Sequence, residues 1–302
     1  MVPPATFTSY YGRPVLKASP WKNDIRAYLF LGGLAAGSSL LGAGADLTHR
    51  PRLRRSSRVA ALAAISASMA ALVHDLGKPS RFVNMLRVAK PSSPMSMGTW
   101  LLTAYGPMVG LAGVAELAPG RLGRLLAPLA RPAGLVAALT APAVASYTAV
   151  LLADTATPAW HEAYRELPFV FVGSAAAAAG GLGMLASPVA ESGPAQRLAI
   201  GGVLLELGME RRMERSMGLA AEALHEGKPG RLWRMAERLT ALGVVTALGA
   251  RRSRVLGVLS GAALLIGSAC TRFAIFEAGQ ESARDPRYTV VPQRERVDAR
   301  QG

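Results

Sequence analysis

The sequence predicts an all-α integral membrane protein with eight transmembrane helices arranged as two four-helix bundles. Its 302 residues are 51% hydrophobic with a mean hydropathy of +0.26, and the apolar residues are gathered in blocks. Residues 27–45, 91–115, 132–153 and 167–190 carry no charge, and about 20 such residues in a helix cross the roughly 30 Å hydrocarbon layer. The blocks lack the period-two alternation of barrel strands, which favours helices.

The eight predicted spans are residues 25–47, 57–76, 96–118, 132–153, 168–190, 194–213, 235–250 and 254–276. The first and fifth are rich in glycine and alanine, which predicts close helix packing. The sixth is the least certain, because charged residues follow Leu205 directly. This divides the chain into an N-terminal arm (1–24), an N-terminal bundle (25–153), a connecting loop (154–167), a C-terminal bundle (168–276) and a tail (277–302). The polar, proline-containing arm is not expected to be a secretory signal.

The composition argues against several classes of function and cofactor. The net charge of +15 comes from basic residues scattered over every inter-span loop, which is typical of membrane-flanking residues and not of a nucleic-acid partner. The single cysteine, Cys270, excludes an internal disulfide or a thiolate cluster. Haem needs histidines on facing helices, whereas only His74 of the four histidines lies near a helix end. We therefore expect no haem, no metal site and no redox centre within this chain.

The inter-span loops form two faces with different composition. Loops 48–58, 119–131, 191–197 and 251–254 have 12 of the 34 basic residues and, nearby, only 3 of the 19 acids, Asp46, Glu116 and Glu191. The opposite face mixes both charges with aromatic residues and prolines, which suits a docking surface for another protein, although a solvated face is the alternative. Basic-residue counts do not select one membrane orientation.

Four stretches carry a resemblance to a known family. Residues 74–100, HDLGKPSRFVNMLRVAKPSSPMSMGTW, resemble the H-x-L-G-[RK]-P…R-F…P-x-S-P-M-x-x-G-x-W signature of the NrfD-type membrane subunits, the polysulfide reductase membrane-anchor family. FLGGLAAGS (30–38), SYTAVLLADTATPAWHE (146–162) and RFAIFEAGQESARDP (272–286) agree with it. The resemblance implies a haem-free, quinone-reactive subunit attached to a ferredoxin-like iron–sulfur subunit, which contacts a molybdopterin catalytic subunit containing molybdenum or tungsten.

Within that family the chain looks most like the anchors of formate dehydrogenases, with menaquinone or another quinone as electron acceptor, in a bacterial cytoplasmic membrane. Anchors of polysulfide or thiosulfate reductase and of alternative complex III are the alternatives inside the family. A secondary transporter is the alternative outside it. A transporter is expected to show matching broken helices from an inverted repeat, and the two halves of the sequence show no convincing match.

The second predicted span ends in a pair of residues suited to proton transfer. Gly77 and Pro79 are expected to end the helix just after His74 and Asp75, at the edge of the hydrocarbon. Histidine and carboxyl groups there can bind a quinone carbonyl and move protons near neutral pH. We predict His74 as the carbonyl partner, with Asp75 orienting it or relaying protons. A histidine that only caps the loop is the alternative.

Four further residues complete the predicted quinone pocket or its mouth. Tyr147 matches a family position associated with quinone binding, and a structural tyrosine is the alternative. Tyr28 replaces the polar residues with which the family usually enters the first span. Asp154 and His161 are expected at the mouth of the fourth span, as a proton exit, a partner contact or plain loop residues. Trp100, Trp160 and Trp233 are expected as membrane-interface anchors, and the basic residues from Lys78 to Lys90 as contacts for membrane lipids or a partner.

Overall fold

A computed structural model describes residues 15–301, so the first 14 residues of the predicted arm and Gly302 lie outside the described part of the chain. Residues 15–301 form helices and connecting segments without a strand. In chain order the helices are α1 (Asn23–Leu47), α2 (Pro51–Asp75), α3 (Arg81–Met85), α4 (Pro94–Leu117), α5 (Gly120–Ala153), α6 (Pro158–His161), α7 (Leu167–Ala186), α8 (Gly193–Ser216), α9 (Glu222–His225), α10 (Gly227–Gly249), α11 (Arg254–Arg284) and α12 (Arg287–Gln301).

Local sequence signals set several helix ends. Pro51 and Pro94 occupy the first turns of α2 and α4, where a missing N–H costs no hydrogen bond. The Ser93 hydroxyl caps α4 by accepting from the Ser96 amide, and the Ser253 hydroxyl caps α11 in the same way. Just beyond α2, Gly77 has a φ of +68°, a conformation that glycine adopts without strain. The chain therefore turns sharply after His74 and Asp75.

The eight long helices pack in two rings. In the first, α1 contacts α2, α2 contacts α4, α4 contacts α5, and α5 returns to α1. In the second, α7 contacts α8, α8 contacts α10, α10 contacts α11, and α11 returns to α7. Helix α7 also packs on α1 and α5 and so joins the two rings. The predicted site residues on α1, α2 and α5 thus all belong to the first ring.

Small residues bring the helices together, as the glycine-rich first and fifth spans predicted. A Cβ at Gly37 of α1 would lie 2.7 Å from the Cβ of Ala179 on α7. A Cβ at Gly180 of α7 would lie equally close, 2.7 Å, to the Cβ of Ala199 on α8. Both distances are shorter than van der Waals contact, so larger side chains would force these helices apart.

Six of the eight predicted spans have the length and hydropathy of a membrane crossing, namely α1, α2, α4, α5, α7 and α11. The chain is therefore a multi-pass membrane protein. Helices α8 and α10 lie where the sixth and seventh spans were predicted, but they do not reach that hydropathy, because charged residues interrupt them. The eight-span prediction is thus confirmed for six positions.

One predicted loop was wrong, because residues 120–131 are helical and α5 begins at Gly120. Helix α11 continues to Arg284, beyond the span predicted for residues 254–276. Pro128 and Pro132 lie inside α5. Proline is tolerated in membrane helices where neighbouring groups satisfy the freed carbonyls.

Two acidic side chains of α8 point into the protein. Glu206 and Glu210 are both buried, and the Thr271 hydroxyl of α11 donates to the Glu206 carboxylate at 3.0 Å. The adjacent Arg272 is buried as well; it donates to the carbonyls of Leu29 (3.3 Å) and Phe171 (2.6 Å) and so ties α11 to α1 and α7. These polar contacts connect the two rings deep inside the molecule.

A second buried charge cluster closes the first ring at the end opposite His74. Arg58 of α2 donates to Glu116 at 2.9 Å and to Asp46 at 3.3 Å, and Arg54 contacts the same two carboxylates. The Arg58 side chain is only 6% exposed. Both carboxylates are thus paired with arginine side chains, as buried charges require.

Candidate functional site

The end of α2 places His74 against the start of α1. His74 Nδ1 lies 3.0 Å from Asp24 Oδ2, and 80% of the histidine side chain is exposed. An ionised carboxylate only accepts hydrogen bonds, so Nδ1–H donates to Asp24 and Nε2 remains open. The carboxylate that contacts His74 is therefore Asp24 and not its sequence neighbour Asp75.

Asp75 lies on the inner side of this pair. It is partly buried, and it is close enough to interact electrostatically with Asp24, Lys22 and His74. The rim of the first ring therefore holds two carboxylates, one imidazole and one ammonium group. Such a set can accept and release protons. Within residues 15–301 no three histidine, cysteine, aspartate or glutamate side chains are grouped as a metal site requires.

Tyr147 depends on a glycine of the neighbouring helix. Its ring packs over Gly98 of α4, and a Cβ at that position would lie 2.7 Å from Tyr147 Cδ2. The hydroxyl of Tyr147 makes no hydrogen bond to any residue of 15–301. Tyr28 is buried in the same apolar core, and the Ser68 hydroxyl of α2 donates to its backbone carbonyl at 3.2 Å. No hydrogen bond or ring contact within the described chain joins His74 to Tyr147.

Asp154 and His161 meet at one cleft of about 470 Å³, lined also by Glu162 and Tyr288. His161 Nδ1 lies 3.0 Å from the Ala153 carbonyl, so Nδ1 carries the hydrogen and Nε2 can accept. Burial raises the pKa of the Tyr288 phenol, which keeps its proton. The mouth of α5 is thus a polar cleft covered by the start of α12.

The tryptophans differ from the prediction. Trp160 is fully buried, donates to the Ile275 carbonyl at 2.8 Å and stacks on Trp21 with ring centroids 5.8 Å apart. Trp233 is buried as well, whereas Trp100 is 41% exposed. The interface-anchor prediction was therefore wrong for Trp160 and Trp233, because their indoles fill the core between helices. Trp100 alone has the exposure of an anchor.

A charge cluster that was not predicted from the sequence lies on the same face as His74. Glu277 of α11 accepts from Arg26 of α1 and, at 2.8 Å, from Lys228 of α10. The Arg26 guanidinium also lies 5.6 Å from the centre of the Phe276 ring. This cluster ties α1 to the second ring two residues after Asp24. A contact between positions 251 residues apart leaves no local signal in the sequence.

These features define a multi-pass membrane subunit with a polar rim at one end of a helix ring and no metal cluster among its described residues. Residues 15–220 match the family model described as "Polysulphide reductase, NrfD". The match covers more than half of the chain, and the protein belongs to the NrfD family of membrane subunits of oxidoreductase complexes. No curated protein matches the chain at a significant level.

Proposed function

We propose that the chain is the haem-free, quinone-reactive anchor of a formate dehydrogenase-like complex in a bacterial cytoplasmic membrane. A ferredoxin-like iron–sulfur subunit would supply electrons from a molybdopterin catalytic subunit, and menaquinone would accept them. The membership in the NrfD family supports this, since its members pair with such subunits. The observation that carries the proposal is the His74–Asp24 pair at the rim of the first ring.

The side chains fit the two needs of a quinone site. A quinone carbonyl needs a hydrogen-bond donor, and the Tyr147 hydroxyl has no partner within the described chain. Quinone reduction also consumes protons, which a histidine can deliver near neutral pH. Asp24 holds Nδ1 of His74 and so directs Nε2 away from α1. Asp24 is thereby a positioning residue, and Asp75 is a second carboxyl group at the rim that can return a proton to it.

Quinone turnover of the purified complex tests this assignment. His74→Gln and Tyr147→Phe should each abolish quinone reduction and leave dye-linked activity of the catalytic subunit unchanged. His49→Asn is the matched control, because His49 is exposed at the other end of the bundle and has a φ of +54°, which asparagine tolerates. Full quinone turnover in both site variants contradicts the assignment. Purification of the chain without any molybdopterin or iron–sulfur subunit contradicts the anchor role and favours a transporter.

We further infer that α8 and α10 cross the membrane, which gives eight spans in two four-helix bundles. They contain 24 and 23 residues, enough to span about 35 Å at ~1.5 Å per residue. Two of the charged residues that lower the hydropathy of α8, Glu206 and Glu210, are buried against neighbouring helices. The exposed arginines Arg211, Arg212 and Arg215 lie in its last two turns, where long basic side chains can reach the membrane surface. Intramembrane charges are expected to face the bundle interior in this way.

Single-cysteine labelling tests the two additional spans. The only native cysteine is buried, so Cys270→Ala gives a background for new cysteines. If α8 and α10 cross, cysteines replacing Ala190 and Ser253 react from one side of the membrane and a cysteine replacing Ser216 reacts from the other. Labelling of all three from one side contradicts the inference.

A further inference from the structure

The end of the molecule opposite His74 has an open cleft with three arginines. It lies where α2, α4, α7 and α11 meet, has a volume of about 590 Å³, and no acidic residue lines it. Arg52 and Arg55 of α2 and Arg254 of α11 provide its charge, while Val59 and Leu117 provide part of its apolar wall. The proposed quinone chemistry uses no residue of this cleft.

The acids of this face are all bound elsewhere. Asp46 and Glu116 contact Arg54 and Arg58. The Glu191 carboxylate accepts from the backbone amides at the start of α2, at 2.9 and 3.0 Å, and so caps that helix. Within residues 15–301 no acid of this face therefore forms an ion pair with an arginine of the cleft.

The three arginines of the cleft differ in their partners. The Arg254 guanidinium is fixed, since it donates to the Met184, Leu185 and Ser187 carbonyls at the end of α7. The side chains of Arg52 and Arg55 are exposed and form no hydrogen bond or ion pair within residues 15–301. Being three residues apart on α2, they project from the same side of the helix. Two free guanidinium groups thus stand beside a third that is held in place.

The arginines and the apolar wall of the cleft lie at different depths along the membrane normal. Val59 lies seven residues after Arg52 in α2, about 10 Å further towards the hydrocarbon core. The arginines lie at the helix ends, where lipid headgroups are found. We propose that this cleft binds an anionic phospholipid, with the phosphate at Arg52 and Arg55 and an acyl chain along Val59 and Leu117. A free phosphate ion would gain nothing from contact with the apolar wall, whereas a phospholipid places its acyl chain there. Basic pockets between membrane helices bind anionic headgroups.

Native mass spectrometry of the purified full chain in detergent, titrated with phosphatidylglycerol, tests the site. Each basic residue near a surface is worth about a fivefold gain in affinity for anionic lipid, so Arg52→Gln/Arg55→Gln should weaken binding roughly 25-fold. Arg121→Gln/Arg124→Gln is the matched control, since these exposed arginines lie on the same face outside the cleft. It should leave the affinity within about twofold. Thermal unfolding checks that both variants fold.

Three outcomes overturn the proposal. The Arg52/Arg55 variant could bind phosphatidylglycerol as well as the parent chain, or the Arg121/Arg124 variant could lose as much affinity, which shows diffuse surface charge. Alternatively, millimolar inorganic phosphate could displace the lipid, which shows a site for the free anion. Weak binding of phosphatidylcholine, which has the same phosphate and acyl chains but no net charge, is the expected companion result.

Discussion

Gly98 allows Tyr147 to occupy its position, and this contact can be changed by a single methyl group. In Gly98→Ala the new Cβ would lie 2.7 Å from Tyr147 Cδ2 and closer still to Cε2, whereas carbon atoms prefer a separation of about 3.5–4.0 Å. The ring must therefore retreat by more than about 1 Å, and a displacement of about 1 Å can already reduce turnover about 100-fold when the displaced group positions a substrate. The overpacking itself costs about 1–3 kcal/mol of stability.

The assay compares quinone reduction with dye-linked activity in the purified complex. Gly110→Ala on the same helix is the control, because a Cβ at that position meets no atom within 4 Å. Gly98→Ala should lose quinone reduction selectively, and Gly110→Ala should lose neither activity. If the loss operates through the Tyr147 hydroxyl, adding Tyr147→Phe should bring little further loss. Equal turnover in the two alanine variants, or losses that multiply in the double variant, would refute the reasoning.

Two further predictions concern stability and use thermal or denaturant unfolding of the chain in detergent. Arg58→Met leaves Asp46 and Glu116 with one fewer buried partner and should lower the free energy of unfolding by about 3–5 kcal/mol. Arg55→Met, on the exposed side of α2, should change it by less than about 0.5 kcal/mol. Equal effects of the two substitutions would contradict the role assigned to the buried ion pairs. Trp160→Ala empties a fully buried site and should cost about 3–5 kcal/mol. Trp100→Ala, which removes a 41% exposed side chain, should cost clearly less, and the opposite order would contradict the assignment of Trp160 to the core.

Hydropathy was sufficient for the charge-free spans and insufficient for the two helices that contain charged residues. The blocks at 27–45 and 167–190 predicted α1 and α7 closely, because a charge-free run has few other environments. Helix α8 is different, since the fold buries Glu206 and Glu210 although both are charged residues. An average over a window cannot distinguish a carboxylate turned inward from one turned towards lipid.

The candidate site shows the same division between local and distant information. The glycine and proline after His74 predicted that the helix would end there, and Gly77 does adopt the expected positive φ. The partner of His74 was missed because Asp24 lies 50 residues away, and Asp75 was the nearest carboxylate along the chain. Trp160 was misplaced for a similar reason: its acceptor, the Ile275 carbonyl, is 115 residues distant.

The His74 rim and the arginine cleft lie at opposite ends of α2, so one membrane orientation determines the surroundings of both. Anionic lipids and positively charged loops concentrate on the cytoplasmic side. An anionic lipid bound at Arg52 and Arg55 therefore implies that His74, Asp154 and His161 face the other side. The iron–sulfur partner would then dock outside the cytoplasm, and its catalytic subunit would need to be exported. In that orientation, a cysteine replacing Ser80, just beyond α2, should react with an impermeant reagent added to intact cells. If that cysteine reacts only after the cells are opened, the membrane orientation is the reverse.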